Sequence, residues 1–347
     1  MKNNVLVVMI LSCIFIVIFL GLAETRERSD VLILKNGDRV TCEVLNLSRG
    51  MLTVKTDAMS TIEIKWQDVK QISSKFLFRV QDTSGHLYIG SIQAGDEDYQ
   101  MKVIGKDTTY DLKHTSVVDI QEFDESRWRR FSGSVDLSYN YTKASNQTQF
   151  NFYSDLEYTT ENYMGQLDIS ADLGQSNGVK NAERDVIALA GYRKLSRKWY
   201  AYSQIKYEHN LELQLSQRDT LMGGPVYNII RTNSVQFAVL GGCTYSREIY
   251  QDQESTNNAE AVFLANVQFF KLYSPKYDIS TQFLLLPNIT TWGRVRSELN
   301  TNLRIEIIKD FFVSFSFYDS FDSRPPSEDA TKHDYGITTG ISWSFGK

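Results

Sequence analysis

The chain has 347 residues, a formal net charge of −5, 42% hydrophobic residues and 12% aromatic residues. A chain of this length normally forms more than one domain, and this composition is typical of folded protein and excludes extended disorder. No domain-wide excess of basic residues is present to neutralise phosphates, which excludes nucleic acid as the main partner.

Residues 1–23, MKNNVLVVMILSCIFIVIFLGLA, have the pattern of a signal peptide. Lys2 gives a short positive region, residues 5–20 are almost wholly apolar, and Ala23 is a small residue of the kind that a signal peptidase reads. We predict cleavage after Ala23; the alternative is an uncleaved membrane anchor, because the apolar run approaches the length of a membrane helix. With a cleaved signal peptide or an uncleaved anchor, the rest of the chain leaves the cytoplasm.

The segment from Asp30 to about Glu125 contains an internal repeat. Four pairs of landmarks share an offset of 48 residues: Gly37 and Gly85, Trp66 and His114, Val69 and Val117, and Ile72 and Ile120. A constant offset indicates duplication. We therefore predict two small β-modules of SH3-like or Sm-like type over residues 30–74 and 75–123, each with four or five short strands.

Two functions fit these modules equally well. One is contact with peptidoglycan, a periplasmic protein or a partner barrel, and the other is a folded spacer. Small β-barrels bind many kinds of ligand, so the fold alone does not choose between them.

The cysteines indicate neither a disulfide framework nor a metal site. Cys42 and Cys243 lie in different segments, so we expect both to be small apolar fillers. No CxxC or HExxH spacing occurs in the sequence, and it therefore implies no metal and no cofactor.

Beyond the charged linker QEFDESRWRR, residues 121–130, apolar and polar residues alternate to the end of the chain. In FSGSVDLSYNYT, residues 131–142, one face holds Val135, Leu137, Tyr139 and Tyr141, and the other holds Asp136, Ser138 and Asn140. Such alternation predicts a strand with one apolar and one polar face, which soluble sandwiches and membrane barrels both contain. About twelve strands are predicted, at 131–142, 148–159, 163–173, 184–195, 199–209, 219–230, 234–247, 259–271, 276–286, 293–308, 311–320 and 334–345.

The connections between these runs favour the barrel. Long segments such as GQSNGVKNAE (174–183) and NLELQLSQR (210–218) alternate with short ones such as TEN and SRK. Outer-membrane barrels have short periplasmic turns and longer outer loops, whereas a sandwich has no reason to alternate in this way. We predict an all-β chain whose residues 131–347 form an antiparallel transmembrane β-barrel of about twelve strands.

One strand carries a charged row that must face the lumen. The row consists of Arg294, Arg296, Glu298, Asn300, Asn302, Arg304 and Glu306. A charge facing hydrocarbon at the membrane centre would cost about 2 to 4 kcal/mol. These side chains either line an aqueous pore and set its ion preference, or neutralise one another in a plugged lumen, and a barrel of this size is compatible with both.

Aromatic residues near the predicted strand ends suggest an interfacial girdle. They are Trp128, Trp199, Tyr200, Tyr227, Tyr250, Tyr273, Trp292 and Trp343. Membrane barrels carry such girdles at both interfaces, although aromatic residues favour strands in any protein.

A catalytic site in the barrel wall would need serine, histidine and an acid or amide held together. The four histidines are His86, His114, His209 and His333. His209 follows Glu208 and His333 precedes Asp334, and residues adjacent in a strand point to opposite faces. We therefore expect no enzymatic activity and assign no catalytic residue.

The final strand, YGITTGISWSF, places apolar and aromatic residues on one face. The pattern looks like a barrel-assembly signal, and its candidate residues are Tyr335, Ile341, Trp343 and Phe345. Gly346 and Lys347 follow Phe345, which departs from barrels that end on the aromatic residue.

Several motifs carry a family resemblance. They are Asp319, Asp322 and Ser323 before Arg324-Pro325-Pro326, then Asp334-Tyr335-Gly336, Trp343-Ser344-Phe345-Gly346, and upstream YRKLSRKWY (192–200) and YSREIY (245–250). With these motifs in this order, residues 131–347 resemble the salt-induced outer-membrane protein family, domain of unknown function 481. The resemblance implies an outer-membrane β-barrel without an established activity, and no catalytic residue is carried over from it.

These predictions describe an exported protein of a Gram-negative-type cell, in the outer membrane with its N-terminal modules in the periplasm. The implied partners are outer-membrane lipid, the barrel-assembly machinery, and peptidoglycan or a periplasmic protein. The leading function is non-enzymatic, either a narrow channel or a structural, stress-related envelope component. The alternative is a binding protein whose periplasmic modules hold a partner while the barrel serves only as an anchor.

Overall fold

The computed structural model describes residues 27–123, 130–211, 214–251, 254–324 and 332–343. These residues form strands, short 3-10 turns and connections, which confirms the all-β fold class. No helix among them is long and apolar enough to cross a membrane. The predicted signal peptide, Trp128 and Phe345 lie outside the described residues.

The N-terminal domain contains nine strands in one sheet. They are β1 Asp30–Leu34, β2 Arg39–Ser48, β3 Met51–Thr56, β4 Ser60–Lys65, β5 Val69–Asp82, β6 Leu87–Ala94, β7 Gln100–Ile104, β8 Thr109–Lys113 and β9 Val117–Glu122. The two 3-10 helices, Trp66–Asp68 and His114–Ser116, precede β5 and β9 and occupy equivalent places in the repeat.

The long strand β5 belongs to both copies of the repeat. Its first half pairs with β1 and completes the first copy, and its second half pairs with β6 and β9 in the second copy. Each copy is thus a small five-stranded module with a 3-10 turn before its last strand. The predicted boundary between residues 74 and 75 falls inside β5, where the pairing with β6 shifts register between Ser74 and Leu77.

The duplicated positions Trp66 and His114 pack against each other. Their rings stack with centroids 4.4 Å apart, and Trp66 Nε1 donates a hydrogen bond to the His114 carbonyl oxygen at 2.8 Å. Both side chains are buried beside one hydrophobic core that contains residues of both copies, among them Cys42 and Ile120. The two modules therefore form a single folded unit.

The burial of His114 makes the stability of this unit depend on pH. Burial lowers the pKa of His114 to about 4, whereas an unfolded histidine titrates near 6.5. Because the pKa is depressed, the free energy of unfolding is highest above about pH 6.5. It falls as the pH drops towards 4, by about 3 kcal/mol in total. Hydrogen exchange of the β1–β9 amides, corrected for intrinsic rates, should show this loss.

Two variants define the source of that pH dependence. His114→Gln removes the titrating group, so the acid-induced loss of protection should largely disappear. His86→Gln changes a histidine of the same domain whose side chain is 37% exposed, and it should keep the loss. Equal pH dependence in His114→Gln and the unmodified chain would contradict this assignment.

Residues 131–343 form a twelve-stranded antiparallel meander in which every strand pairs with the next along the chain. The strands are β10 Phe131–Thr142, β11 Gln147–Thr159, β12 Tyr163–Ser176, β13 Val179–Lys194, β14 Trp199–Asn210, β15 Leu215–Arg231, β16 Val235–Tyr250, β17 Thr256–Lys271, β18 Tyr277–Pro287, β19 Val295–Ile308, β20 Phe311–Asp322 and β21 His333–Trp343. The predicted twelve-stranded barrel is confirmed.

The register gives this barrel sheet one apolar and one polar face. Directly paired residues share a face. One row contains Gly133, Leu156, Leu167, Leu189, Ile205, Leu221, Tyr245 and Ala259. The adjacent row on the other face contains Ser134, Asp155, Asp168, Ala188, Lys206, Thr220, Ser246 and Asn258. The register puts Val135, Leu137, Tyr139 and Tyr141 on the apolar face and Asp136, Ser138 and Asn140 on the polar face.

The predicted alternation of long and short connections is wrong for part of the barrel. The segment 174–183 is mostly strand, and β12 joins β13 through Asn177 and Gly178, both with positive φ. The residues of such a polar segment can continue a hairpin beyond the apolar band, because strand pairing satisfies their backbone groups. Longer connections remain at 288–294 and 323–332.

The two cysteines differ in their surroundings. Cys42 is buried in the core of the N-terminal domain, as predicted. Cys243 is exposed, so the prediction of an apolar filler is wrong there, because its position in β16 lies on the outward apolar face of the sheet.

Candidate functional site

The N-terminal domain, residues 27–123, lies against one end of the barrel and is called the cap below. This end carries the turns 160–162, 195–198, 232–234, 272–276 and 309–310. Residues in or beside the first four of these turns contact the cap. The cap therefore spans the mouth of the barrel from β11 to β18.

Polar bonds hold the cap at two places around this mouth. Asn233 Nδ2 donates to the Val117 carbonyl oxygen at 2.7 Å. Arg49 forms an ion pair with Asp278 at 2.7 Å. The guanidinium of Arg49 also lies 4.4 Å from the ring centroid of Phe270, which is fully buried.

At a third place the backbone of the cap touches the backbone of the barrel. Gly85 has a φ of +86°, and a Cβ atom built on it would lie 2.0 Å from the carbonyl oxygen of Arg197. Lys194 Nζ donates to the Gly85 carbonyl oxygen at 2.6 Å. Only glycine permits this approach, since any side chain would overlap the Arg197 carbonyl.

A buried carboxylate of the cap lies between two arginines. Asp119 is 3.2 Å from Arg231 of the barrel and 3.8 Å from Arg79 of the cap. Burial raises the pKa of Asp119 above its usual range, and the two arginines oppose that rise. If one partner of such a pair is removed, the other charge is left unpaired in a desolvated site, which is unfavourable. The pair therefore favours the docked position of the cap over other positions.

Behind the cap lies a cavity of about 640 Å³. The cap contributes Arg79, Gln81 and Asp119 to the wall of this cavity. The barrel side of the wall comes mainly from strands β12–β18. On β17 the lining residues are Leu264, Asn266 and Gln268, which alternate along one face. This identifies the polar face of the sheet as the lumen face.

Towards the end of the cavity away from the cap, apolar side chains pack together, and five of them also line the cavity. This apolar belt consists of Tyr202, Met222, Val226, Leu240, Val262, Leu264, Leu284 and Leu286. Leu240, Val262 and Leu286 are buried. These residues lie on the neighbouring strands β14–β18 and form an apolar patch on that part of the lumen wall, which water wets poorly.

Beyond the belt the lumen face is charged. Glu260 is 2% exposed and accepts hydrogen bonds from Arg296 at 3.0 and 2.5 Å. Arg218 is 2.9 Å from Glu248 and 3.5 Å from Glu208. The acids and bases in this outer region thus neutralise one another in pairs.

The five residues singled out on β19 and just before it have different environments. Arg294 pairs with Asp322 at 2.6 Å, and Arg296 pairs with Glu260 as described above. Glu298 is exposed on the lumen face, and Arg304 stacks on the Phe312 ring at 4.4 Å. Glu306 accepts hydrogen bonds from the backbone N–H groups of Lys276 and Asp310 at 2.7 and 3.0 Å, so it ties together two turns at the cap end.

The candidate assembly residues lie on the apolar face. Tyr335, Ile341 and Trp343 are all exposed there, while Phe345 lies outside the described residues. Trp199 pairs with Tyr227 near the cap end, with ring centroids 4.7 Å apart, and Trp292 is 85% exposed in the connection at the other end. Aromatic residues are thus present near both ends of the barrel.

Sequence reasoning missed Asp119, Glu260 and the apolar belt. The belt does have a signal: AVFLANV in β17 and FLLL in β18 are apolar at successive positions, so both faces of those strands are apolar there. Asp119 and Glu260 have no such signal, because their partners are distant in sequence.

The comparisons with known proteins give one family model and two solved structures. The family model described as "Protein of unknown function, DUF481" matches residues 135–345. A NanC porin structure has a TM-score of 0.36 at 10% identity and covers 61% of this chain and 100% of its own. A bacterial polysaccharide outer membrane secretin has a TM-score of 0.37 at 9% identity and covers 78% of this chain and 97% of its own. These scores carry no functional argument, and no curated protein matches the chain.

Proposed function

The chain belongs to this family of proteins of unknown function, and we propose that it is a non-enzymatic outer-membrane barrel forming a narrow channel closed by its own cap. The observation that carries the proposal is the seating of the cap on four turns at the same end of the barrel. A domain in that position blocks the lumen while it is docked.

The two faces of the barrel support the membrane location. The outward face exposes large apolar side chains, among them Leu137, Leu189 and Ile205, while the lumen face holds the ion pairs. This is the arrangement that a lipid-embedded barrel requires. With the predicted signal peptide at residues 1–23, it favours export to the outer membrane, with the cap and the short turns on the periplasmic side.

The lumen supports a narrow channel over an open porin. The apolar belt and the paired charges line the lumen along β14–β19, so we expect only small polar solutes or ions to pass when the cap moves.

The surroundings of the barrel histidines support a non-enzymatic role. His209 lies 3.4 Å from Glu183, and His333 contacts Asp319. Both pairs occupy the outward face of the sheet, away from the lumen and its cavity. The alternative is a barrel that serves only to anchor a binding module. It has less support, because the surface of the cap that faces the barrel mouth is bonded to the barrel itself.

A substitution in the apolar belt tests the channel. Val262→Thr adds a hydroxyl group without changing the shape of the side chain much, which favours water in the belt and should raise the single-channel open probability several-fold. Val267→Thr makes the same change on the outward face of the same strand and should leave the current unchanged. A purified, refolded chain with no current in either variant would contradict the channel.

A further inference from the structure

The cavity behind the cap combines aromatic rings with amides, and we propose that it binds an uncharged oligosaccharide. This inference rests on the proposed capped channel, because the docked cap forms one wall of the cavity. Its volume of about 640 Å³ falls in the range of roughly 300 to 1,000 Å³ that small-molecule sites occupy.

Three tyrosines supply flat apolar surfaces with polar ends. They are Tyr192, Tyr200 and Tyr202. The rings of Tyr192 and Tyr202 lie 4.8 Å apart and are tilted by 46°, so they form a continuous aromatic surface. A sugar ring offers C–H groups on its faces and hydroxyl groups at its edges, which matches a wall of aromatic faces bordered by polar groups.

Amides line the barrel side of the cavity. They include Gln204, Asn228, Asn266, Gln268 and Gln282. Each amide offers two donors and an acceptor, and a sugar hydroxyl both donates and accepts, so the two chemistries are complementary. A purely apolar ligand would leave these amides without partners, which is unfavourable.

The buried carboxylate Asp119 adds an acceptor. Its Oδ2 atom accepts a hydrogen bond from Arg231, whereas its Oδ1 atom accepts none among the described residues. The residue belongs to the cavity lining, next to the amides of the barrel side.

The charges of the cavity favour a ligand without charge. Its three cationic residues already have partners: Arg231 pairs with Asp119, Arg79 donates to the Thr160 carbonyl oxygen at 3.3 Å, and Lys194 donates to that of Gly85. Amides outnumber charged side chains in the lining, and the two acids Asp119 and Glu161 offset two of the three cations. An uncharged ligand can occupy the cavity with those bonds intact.

The test is a calorimetric titration of the refolded full chain, in a zwitterionic detergent that carries no sugar. Maltotriose should bind saturably, and trigalacturonate, an anionic trisaccharide, should bind at least about tenfold more weakly. Tyr202→Leu and, as a milder change, Gln204→Ala should each weaken maltotriose binding about tenfold. Asn302→Leu removes an amide from the lumen face outside the cavity wall and should bind like the unmodified chain.

Oxidative cross-linking of a chain with Gly50→Cys and Asn233→Cys, whose Cβ positions lie 3.5 Å apart across the interface, reports whether the cap is docked. A docked chain that does not bind maltotriose overturns the oligosaccharide site and leaves the capped channel standing. Binding that both cavity variants retain, or a preference for trigalacturonate, also overturns it. An undocked cap in the unmodified chain overturns the proposed function itself.

Discussion

Gly85→Val is expected to open the channel. Valine at a φ of +86° is strained, and its Cβ atom would lie 2.0 Å from the Arg197 carbonyl oxygen, which belongs to the barrel backbone and cannot move aside cheaply. The cap must therefore shift away from the turn at 195–198. Single-channel recordings of the full chain should show at least about a tenfold rise in open probability, since 1.4 kcal/mol of lost docking energy gives that factor.

The internal repeat provides a matched control. Gly37 occupies the equivalent turn of the first copy with a φ of +92°, and a Cβ atom built on it meets nothing within 4 Å. Gly37→Val thus introduces the same turn strain without the overlap with the barrel. Equal opening by both variants would show that damage to the cap fold, and not loss of docking, produces the current.

The strand pattern of the barrel was predictable because it is local. The prediction of a strand over 131–142 agrees with β10 in both bounds, and the count of twelve strands is correct. Successive side chains of a strand point to opposite faces, so apolar and polar residues alternate within each strand. Each strand can therefore be recognised from its own sequence. The expected loop 174–183 was wrong because polar residues continue the same period beyond the apolar band.

The repeat was also predictable, whereas the docking of the cap was not. The offset of 48 residues reappears in the two 3-10 turns and in the stacking of Trp66 on His114. The bond from Asn233 to Val117 and the ion pair of Arg231 with Asp119 join residues more than a hundred positions apart. No periodic pattern marks such pairs, so the sequence of the modules gives no sign of their contact with the barrel.

The lumen was predictable in part. The charged row of β19 does lie on the lumen face, but the partner of Arg296 is Glu260, two strands away on β17. Pairing across non-adjacent strands depends on how the sheet curls, which alternation does not encode. The apolar belt interrupts the polar face for the same reason, because its residues meet only after the strands are assembled.

The most direct test of the capped channel is a disulfide that locks the cap to the barrel. A Cβ atom built on Gly50 lies 3.5 Å from that of Asn233, within the range of about 3.5 to 4.5 Å that disulfides span. Gly50→Cys with Asn233→Cys, in a Cys243→Ser background, should cross-link on oxidation, and Asn233→Cys alone serves as the control.

The measurement is single-channel current before oxidation, after oxidation and after reduction. The capped channel predicts that oxidation abolishes the openings of the double-cysteine chain, that reduction restores them, and that the control responds to neither treatment. A fully cross-linked barrel with undiminished current, or a folded barrel in which residues 50 and 233 never cross-link, would contradict it.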